Sequence, residues 1–218
     1  MDRRKGLIVA DVLPMLIVFL IITTAAALWG GVRAALLPGI LALFTLYFFR
    51  NPLRRISAQP EEVVSPADGV VMAVEEVVEE NYLHGSAIKV SIFLNIFNVH
   101  VNRTPITGVI DYLYYRQGKF LPAFKSHASH LNERNYVGIR WEKNPAVSIL
   151  VVQITGFIAR RIACWVKEGE KLAQGELFGM IKFGSCTELY LPLGSEVLVK
   201  KGQKVRGGET IIGRLQNE

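Results

Sequence analysis

The chain has 218 residues, half of them hydrophobic, and 25 lysines and arginines against 19 aspartates and glutamates give it a formal net charge of +6. That length suits one anchored domain with a core of its own. The two cysteines, Cys164 and Cys186, exclude a disulfide framework and form no CxxC metal pattern, so a reducing compartment is expected. The positive balance fits an anionic membrane surface, and no nucleic-acid motif accompanies it.

The hydrophobic excess is concentrated at the start. Val12 to Trp29 is uncharged, and after Gly30, Gly31 and Arg33 a second apolar run extends from Ala34 to Phe49. Each run is roughly 16 to 18 residues, close to what a bilayer span needs. Arg3, Arg4 and Lys5 precede the first run and Arg50, Arg54 and Arg55 follow the second, whereas the turn between them holds only Arg33. The positive-inside rule therefore predicts a two-helix hairpin with both ends cytoplasmic. Pro14 and Pro38 are expected to kink these helices, and Trp29, Tyr47, Phe48 and Phe49 to mark the interfaces. A cleaved signal peptide and a surface-lying anchor are the competing readings; the second apolar run argues against the first of these.

Asn51 to Pro60 reads as a basic linker with two prolines. Beyond it, Val63-Val64, Val70 to Val78, Ala87 to Phe93, Val147 to Ile154 and Ile158 to Val166 carry β-branched and aromatic residues broken by Gly, Pro and Asn, the pattern of strands. The strongest helical stretch is short, around Phe120 to Asn132. A repeat links Val166-Lys-Glu-Gly-Glu-Lys-Leu-Ala-Gln-Gly-Glu with Val199-Lys-Lys-Gly-Gln-Lys-Val-Arg-Gly-Gly-Glu, 33 residues on. Each copy reads as strand, tight glycine turn, strand, similar to the turns of lipoyl and biotinyl carriers. The expected fold is α+β: a β-rich barrel or sandwich with lipoyl-like β-turn repeats over residues 56–218, preceded by a two-helix anchor and linker over residues 1–55.

Four segments carry possible chemistry: Ser65-Pro66-Ala67-Asp68-Gly69, Phe97-Asn98-Val99-His100-Val101-Asn102-Arg103-Thr104-Pro105, Asn132-Glu133-Arg134-Asn135 and Phe183-Gly184-Ser185-Cys186. Each alone has a bland reading: a turn, a core histidine, a solvated loop or helix cap, a second turn.

Together and in this order they resemble the short bacterial and archaeal form of the phosphatidylserine decarboxylase family, over nearly the whole chain. The resemblance implies a proenzyme that cuts itself between Gly184 and Ser185. Ser185 Oγ attacks the Gly184 carbonyl, an ester forms, elimination breaks it and leaves a dehydroalanine, and hydrolysis of that residue with loss of ammonia gives a pyruvoyl cofactor at the start of the second product. The products are a chain of residues 1–184 and a chain of residues 185–218 that stay together as a heterodimer. By the same resemblance His100 is the base that activates Ser185 and Asp68 holds its tautomer. The pyruvoyl carbonyl then forms a Schiff base with the serine amine of phosphatidylserine and draws off the electrons as carbon dioxide leaves, giving phosphatidylethanolamine. Arg103 is a candidate for the lipid phosphate, and Arg134 a weaker one.

The expected partners are therefore a membrane phospholipid and the chain's own cleaved halves. A homo-oligomer is left open, and nucleic acid is not expected. The catalytic domain is placed at the cytoplasmic side of the cell membrane.

Two departures matter. Long-form relatives carry a second histidine where this chain has Phe97, so either His100 serves both steps or another group protonates the carbanion. Lys125-Ser126-His127-Ala128-Ser129-His130 is also unusual; its two histidines lack a third metal ligand nearby. The rival readings are an archaetidylserine decarboxylase with the same chemistry, a catalytically dead relative kept as a scaffold, and a non-catalytic, lipoyl-like membrane adaptor, the last supported by the repeat and the anchor.

Overall fold

A computed structural model describes residues 6–119, 131–156, 161–182 and 185–216. The chain divides into two compact units, residues 1–53 and 54–218.

In the first unit a short 3-10 turn, Ala10–Val12, leads into helix α1, Leu13–Phe48, which is apolar and long enough to cross a membrane. Its large side chains, among them Ile17, Leu28, Trp29, Leu36 and Leu43, are exposed. Pro14 sits in the first turn of α1, where a missing N–H costs nothing because that donor would have no helical partner. The residue with non-helical angles is Gly31, with φ 71° and ψ −176°, a conformation glycine adopts without steric penalty. A Cβ built on Gly39 would lie 3.9 Å from the Thr23 side chain. At the other end the Val9 N–H donates to the Phe49 carbonyl (2.9 Å) and the Asn51 N–H to that of Leu7 (2.6 Å). Thr23 and Thr45 hydroxyls donate to carbonyls one turn earlier, which satisfies them inside an apolar helix. Phe48 and Phe49 are not interfacial residues as their position suggested: both are fully buried and pack edge to face, 5.4 Å between ring centroids.

The second unit is β-rich. Its strands are β1 (Glu62–Val64), β2 (Gly69–Glu79), β3 (Gly85–Leu94), β4 (Val101–Arg103), β5 (Gly108–Arg116), β6 (Arg134–Trp141), β7 (Ser148–Thr155), β8 (Arg161–Cys164), β9 (Lys171–Leu172), β10 (Leu177–Lys182), β11 (Ser185–Pro192), β12 (Glu196–Val197), β13 (Lys204–Val205) and β14 (Ile211–Arg214). An eight-stranded antiparallel sheet runs β13-β2-β3-β11-β7-β6-β5-β9, and two three-stranded sheets run β1-β14-β12 and β4-β10-β8. The large sheet curls around one core: Val71, Ile92, Leu189, Val151, Ile139 and Ile110, from six strands along it, belong to the same buried cluster. Its other face carries a second cluster of Ala87, Cys186, Tyr190, Val152, Ile154 and Tyr136.

The expected strands over Val70–Val78, Ala87–Phe93 and Val147–Ile154 correspond to β2, β3 and β7. Residues 120–130, the body of the expected helix, lie outside the described residues. Asn132–Asn135 is not a solvated loop: all four residues are buried and Arg134 opens β6.

The repeat noticed in the sequence has matching geometry. Gly169, Gly175, Gly202 and Gly208 all have positive φ, between 79° and 87°. Gly169 N–H donates to Ile110 and Gly202 N–H to Val71; Gly175 N–H donates to Thr104 and Gly208 N–H to Ser65. These partners reveal a second repeat, Ser65-Pro-x-x-Gly69 and Thr104-Pro-x-x-Gly108. A Cβ on Gly69 would lie 2.2 Å from the Phe93 carbonyl oxygen, and one on Gly108 2.3 Å from that of Arg140, so only glycine fits at either position. Each copy is followed by a bulge, between Val71 and Ala73 and between Ile110 and Tyr112.

Candidate active site

β11 lies in the middle of the large sheet, paired with β3 on one side and β7 on the other, and seven of its eight residues are buried. Alternation along the strand sends Leu189 and Leu191 into the main core and Cys186 and Tyr190 to the opposite cluster. Ser185 and Thr187 therefore face inward with the leucines. Ser185 opens the strand opposite Leu94 and Thr155, is fully buried, and its Oγ has no hydrogen-bond partner among the described residues. A buried hydroxyl without a partner costs about 1–3 kcal/mol, and unpaired groups of this kind accumulate where chemistry requires them. Phe183 and Gly184 lie outside the described residues.

His100 immediately precedes β4, which crosses the inner side of this region. The ring is fully buried, and its Nδ1 lies 3.0 Å from the Asn98 carbonyl. A carbonyl only accepts, so Nδ1 carries the proton and Nε2 is left with a lone pair, the tautomer of a base. The His100 carbonyl accepts from Ile181 N–H at 3.2 Å, four residues before Ser185.

Two residues along, Asn102 ties the four segments together. Its Nδ2 donates to Thr187 Oγ1 (3.1 Å) and to the Pro66 carbonyl (3.4 Å), while its Oδ1 accepts from Gln153 Nε2 (2.8 Å). Gln153 Oε1 in turn accepts from Asn135 Nδ2 at 2.8 Å. Asn102, Thr187 and Gln153 are fully buried and Asn135 almost so. Alternation puts His100 on the same side of its chain as Asn102, and Ser185 on the same side of β11 as Thr187. The Asn102–Thr187 contact thus brings the histidine and serine segments into one layer. Neither Asn102 nor Gln153 stood out in the sequence. The available signal was one amide among the otherwise apolar residues Ile149 to Ile154.

Asp68 departs from the role the resemblance gave it. Its carboxylate accepts from Arg54 Nη2 at 2.9 and 2.8 Å and from Gly207 N–H at 2.8 Å, and it is Asn98, not Asp68, that holds His100 Nδ1. The second repeat supplies the reason. Thr107 occupies the position of Asp68, and its Oγ1 accepts from Gln174 N–H, the counterpart of Gly207, at 3.0 Å. Capping this turn is a common feature of both halves; the bidentate pairing with Arg54 is added only at Asp68. Arg54 also reaches Glu209 at 3.1 Å. Arg103 belongs to the same charged group and donates to the Gly175 carbonyl at 2.9 Å. Burial, followed by the nearby Arg54 charge, lowers its pKa to about 10.

On the outer face of β11, Arg134 faces Glu188 at 4.0 Å, and Tyr190 donates to Glu188 at 2.8 Å. Burial works against the arginine's charge, but Glu188, Tyr136 and Tyr190 together outweigh it and raise the Arg134 pKa; burial and then Glu188 push up the Tyr190 hydroxyl. Arg134 is thus part of a buried ion pair. Cys186, on the same face, has its thiol pushed well up by burial, which removes it as a nucleophile. Phe97 is exposed and offers no proton. His127 and His130 lie outside the described residues.

Comparison with known proteins identifies the family. Residues 41–213 match the sequence model of the family described as phosphatidylserine decarboxylase. A phosphatidylserine decarboxylase proenzyme of Carboxydothermus hydrogenoformans is 62% identical over 182 residues, 83% of this chain and 84% of that one. Those of Symbiobacterium thermophilum and Amoebophilus asiaticus are 44% and 41% identical over 98% and 92% of this chain, and the same shares of their own. Family match, near full-length relatives and the convergence of all four segments lead to one conclusion: the chain belongs to the phosphatidylserine decarboxylase family.

Proposed function

We propose that the chain is a membrane-anchored phosphatidylserine decarboxylase proenzyme that cuts itself between Gly184 and Ser185 and carries a pyruvoyl group made from Ser185. The observation that carries this reading is the buried Ser185 Oγ at the head of the central strand, which has no hydrogen-bond partner among the described residues. A residue that must attack its own preceding carbonyl and then lose its oxygen has to be free of hydrogen bonds that would hold that oxygen in place. Among the described residues Ser185 meets that condition, so the site fits the group. A pyruvoyl group there would supply a conjugated carbonyl able to accept electrons from the substrate as carbon dioxide departs.

The other residues act around it. His100 Nε2 takes the Ser185 proton, its tautomer fixed by the Asn98 carbonyl. Asn102 holds Thr187, and so the start of β11, against the His100 segment. Asp68, locked by Arg54 and Gly207, fixes the turn whose Pro66 carbonyl accepts from Arg103 N–H at 3.0 Å; it positions the histidine segment from behind. Arg103 is the guanidinium nearest this group on β4 and remains the candidate for the lipid phosphate.

The anchor reading rests on Gly31, where the apolar segment breaks, and on the backbone bonds that return residues 49–51 to residues 7–9. With basic residues on both ends, two helices in hairpin place the catalytic unit, from about residue 56, on the cytoplasmic face of the cell membrane. The lipoyl-like character of that unit rests on its paired glycine turns. Replacing Ser185 by Ala tests the reaction: the chain should stay whole and release no carbon dioxide from phosphatidylserine. Decarboxylation by the uncut variant would rule the mechanism out.

A further inference from the structure

The two copies of the 33-residue repeat share their backbone but not their charge. Lys167-Glu168-Gly169-Glu170-Lys171-Leu172-Ala173 balances its charges. Its Lys171 pairs with Glu142, and Glu168 Oε1 accepts from Leu113 N–H at 3.0 Å. The counterpart Lys200-Lys201-Gly202-Gln203-Lys204-Val205-Arg206 has four basic side chains and no acidic one. All four are exposed, and among the described residues Lys200, Lys201 and Lys204 have no carboxylate partner. The backbone bonds are the same in both copies: Glu170 N–H to Lys167 and Gln203 N–H to Lys200, both 3.1 Å. The fold therefore does not require the charge.

The basic copy is also the one at which the chain enters this unit. Arg54 Nη1 lies 3.1 Å from Glu209, Arg55 N–H donates to the same carboxylate, and Arg206 approaches it at 3.9 Å. Leu53, one bond before Arg54, ends the apolar unit. We infer that the turn Lys200–Arg206 is a contact surface for anionic lipid headgroups, with the turn Lys167–Ala173 as its charge-balanced counterpart. This rests on the membrane-anchored reading above. Attraction of this kind adds per basic residue near an anionic surface and fades within a Debye length, so it acts only on side chains held close to the membrane.

Amide exchange on the full chain tests it, in vesicles of phosphatidylcholine alone and of phosphatidylcholine with phosphatidylglycerol. The expected result is exchange over residues 198–206 slowed about five-fold by the anionic lipid, the effect of roughly one basic side chain held at the surface. The slowing should disappear at high salt and in the K200Q/K201Q/K204Q variant, while residues 165–173 exchange alike throughout and report that the variant is folded. Equal exchange of residues 198–206 in both vesicle types would overturn the proposal. Self-cutting in the same samples, and carbon dioxide release once phosphatidylserine is added to them, separate that outcome from failure of the decarboxylase reading, which they test independently.

Discussion

At the scale of single residues, the account depends on which hydrogen bonds are made. His100 is oriented by a backbone carbonyl and Asp68 by an arginine and a backbone amide, so their substitutions should act differently. His100→Ala removes the proposed base, and the chain should remain largely uncut at neutral pH. Asp68→Asn keeps the shape but weakens the Arg54 pair, so cutting should slow without stopping; timed gel analysis of freshly made protein distinguishes the two. Asn102→Ala leaves the Gln153 amide and the Thr187 hydroxyl unpaired in a dry core, about 1–3 kcal/mol for each group. It should lower the melting temperature and slow cutting together. Wild-type cutting in that variant would show that the Asn102 network supports the fold but not the site.

Among the elements, the β2–β3 hairpin carries the clearest pH dependence. Glu79 accepts from Asn81 N–H and Nδ2 and from the N–H groups of Tyr82 and Leu83, at 2.8 to 2.9 Å. Burial opposes its charge, but these bonds outweigh burial and hold the carboxyl below 4.5. A carboxyl lowered in the folded state binds protons more readily when unfolded, so its stabilisation is present above that value and is lost as pH falls through the folded one. The melting temperature should drop more steeply with acid in the wild type than in Glu79→Gln, whose amide cannot titrate; parallel curves would contradict this. Strands β2, β3 and β7 were legible in the sequence because β-branched runs end at Gly, Asn and Pro. β6 and β11 were not, because Arg134-Asn135 and Ser185-Cys186-Thr187-Glu188 look solvent-facing. They are buried because partners from distant strands satisfy them: Gln153 for Asn135, Asn102 for Thr187, Tyr190 and Arg134 for Glu188. Local periodicity carries no information about such partners. The same limit hid Gln153 and the Arg54 and Gly207 partners of Asp68, whereas Ser185, His100 and Asp68 themselves were singled out through the order of their segments. The 33-residue repeat was visible as spaced glycines. Its companion, sharing only Ser/Thr, Pro and Gly, became recognisable once the backbone bonds were known.

For the whole molecule, cutting before Ser185 should not release the second product. Residues 185–218 supply β11 between β3 and β7, β14 between β1 and β12, and β13 at the edge of β2. Glu209 adds a side-chain bond to Arg54, and Gly207 a backbone bond to Asp68. The two products should co-purify in mild detergent and separate only on denaturation; loss of the small fragment under native conditions would mean that β11 is not held as described. The central claim, a cofactor made from Ser185, is tested most directly by the intact mass of the purified, denatured protein. The account predicts a chain ending at Gly184 and a fragment of residues 185–218 whose first residue has the mass of a pyruvoyl group. A single uncut chain that persists on long incubation would contradict it and favour the adaptor or scaffold reading.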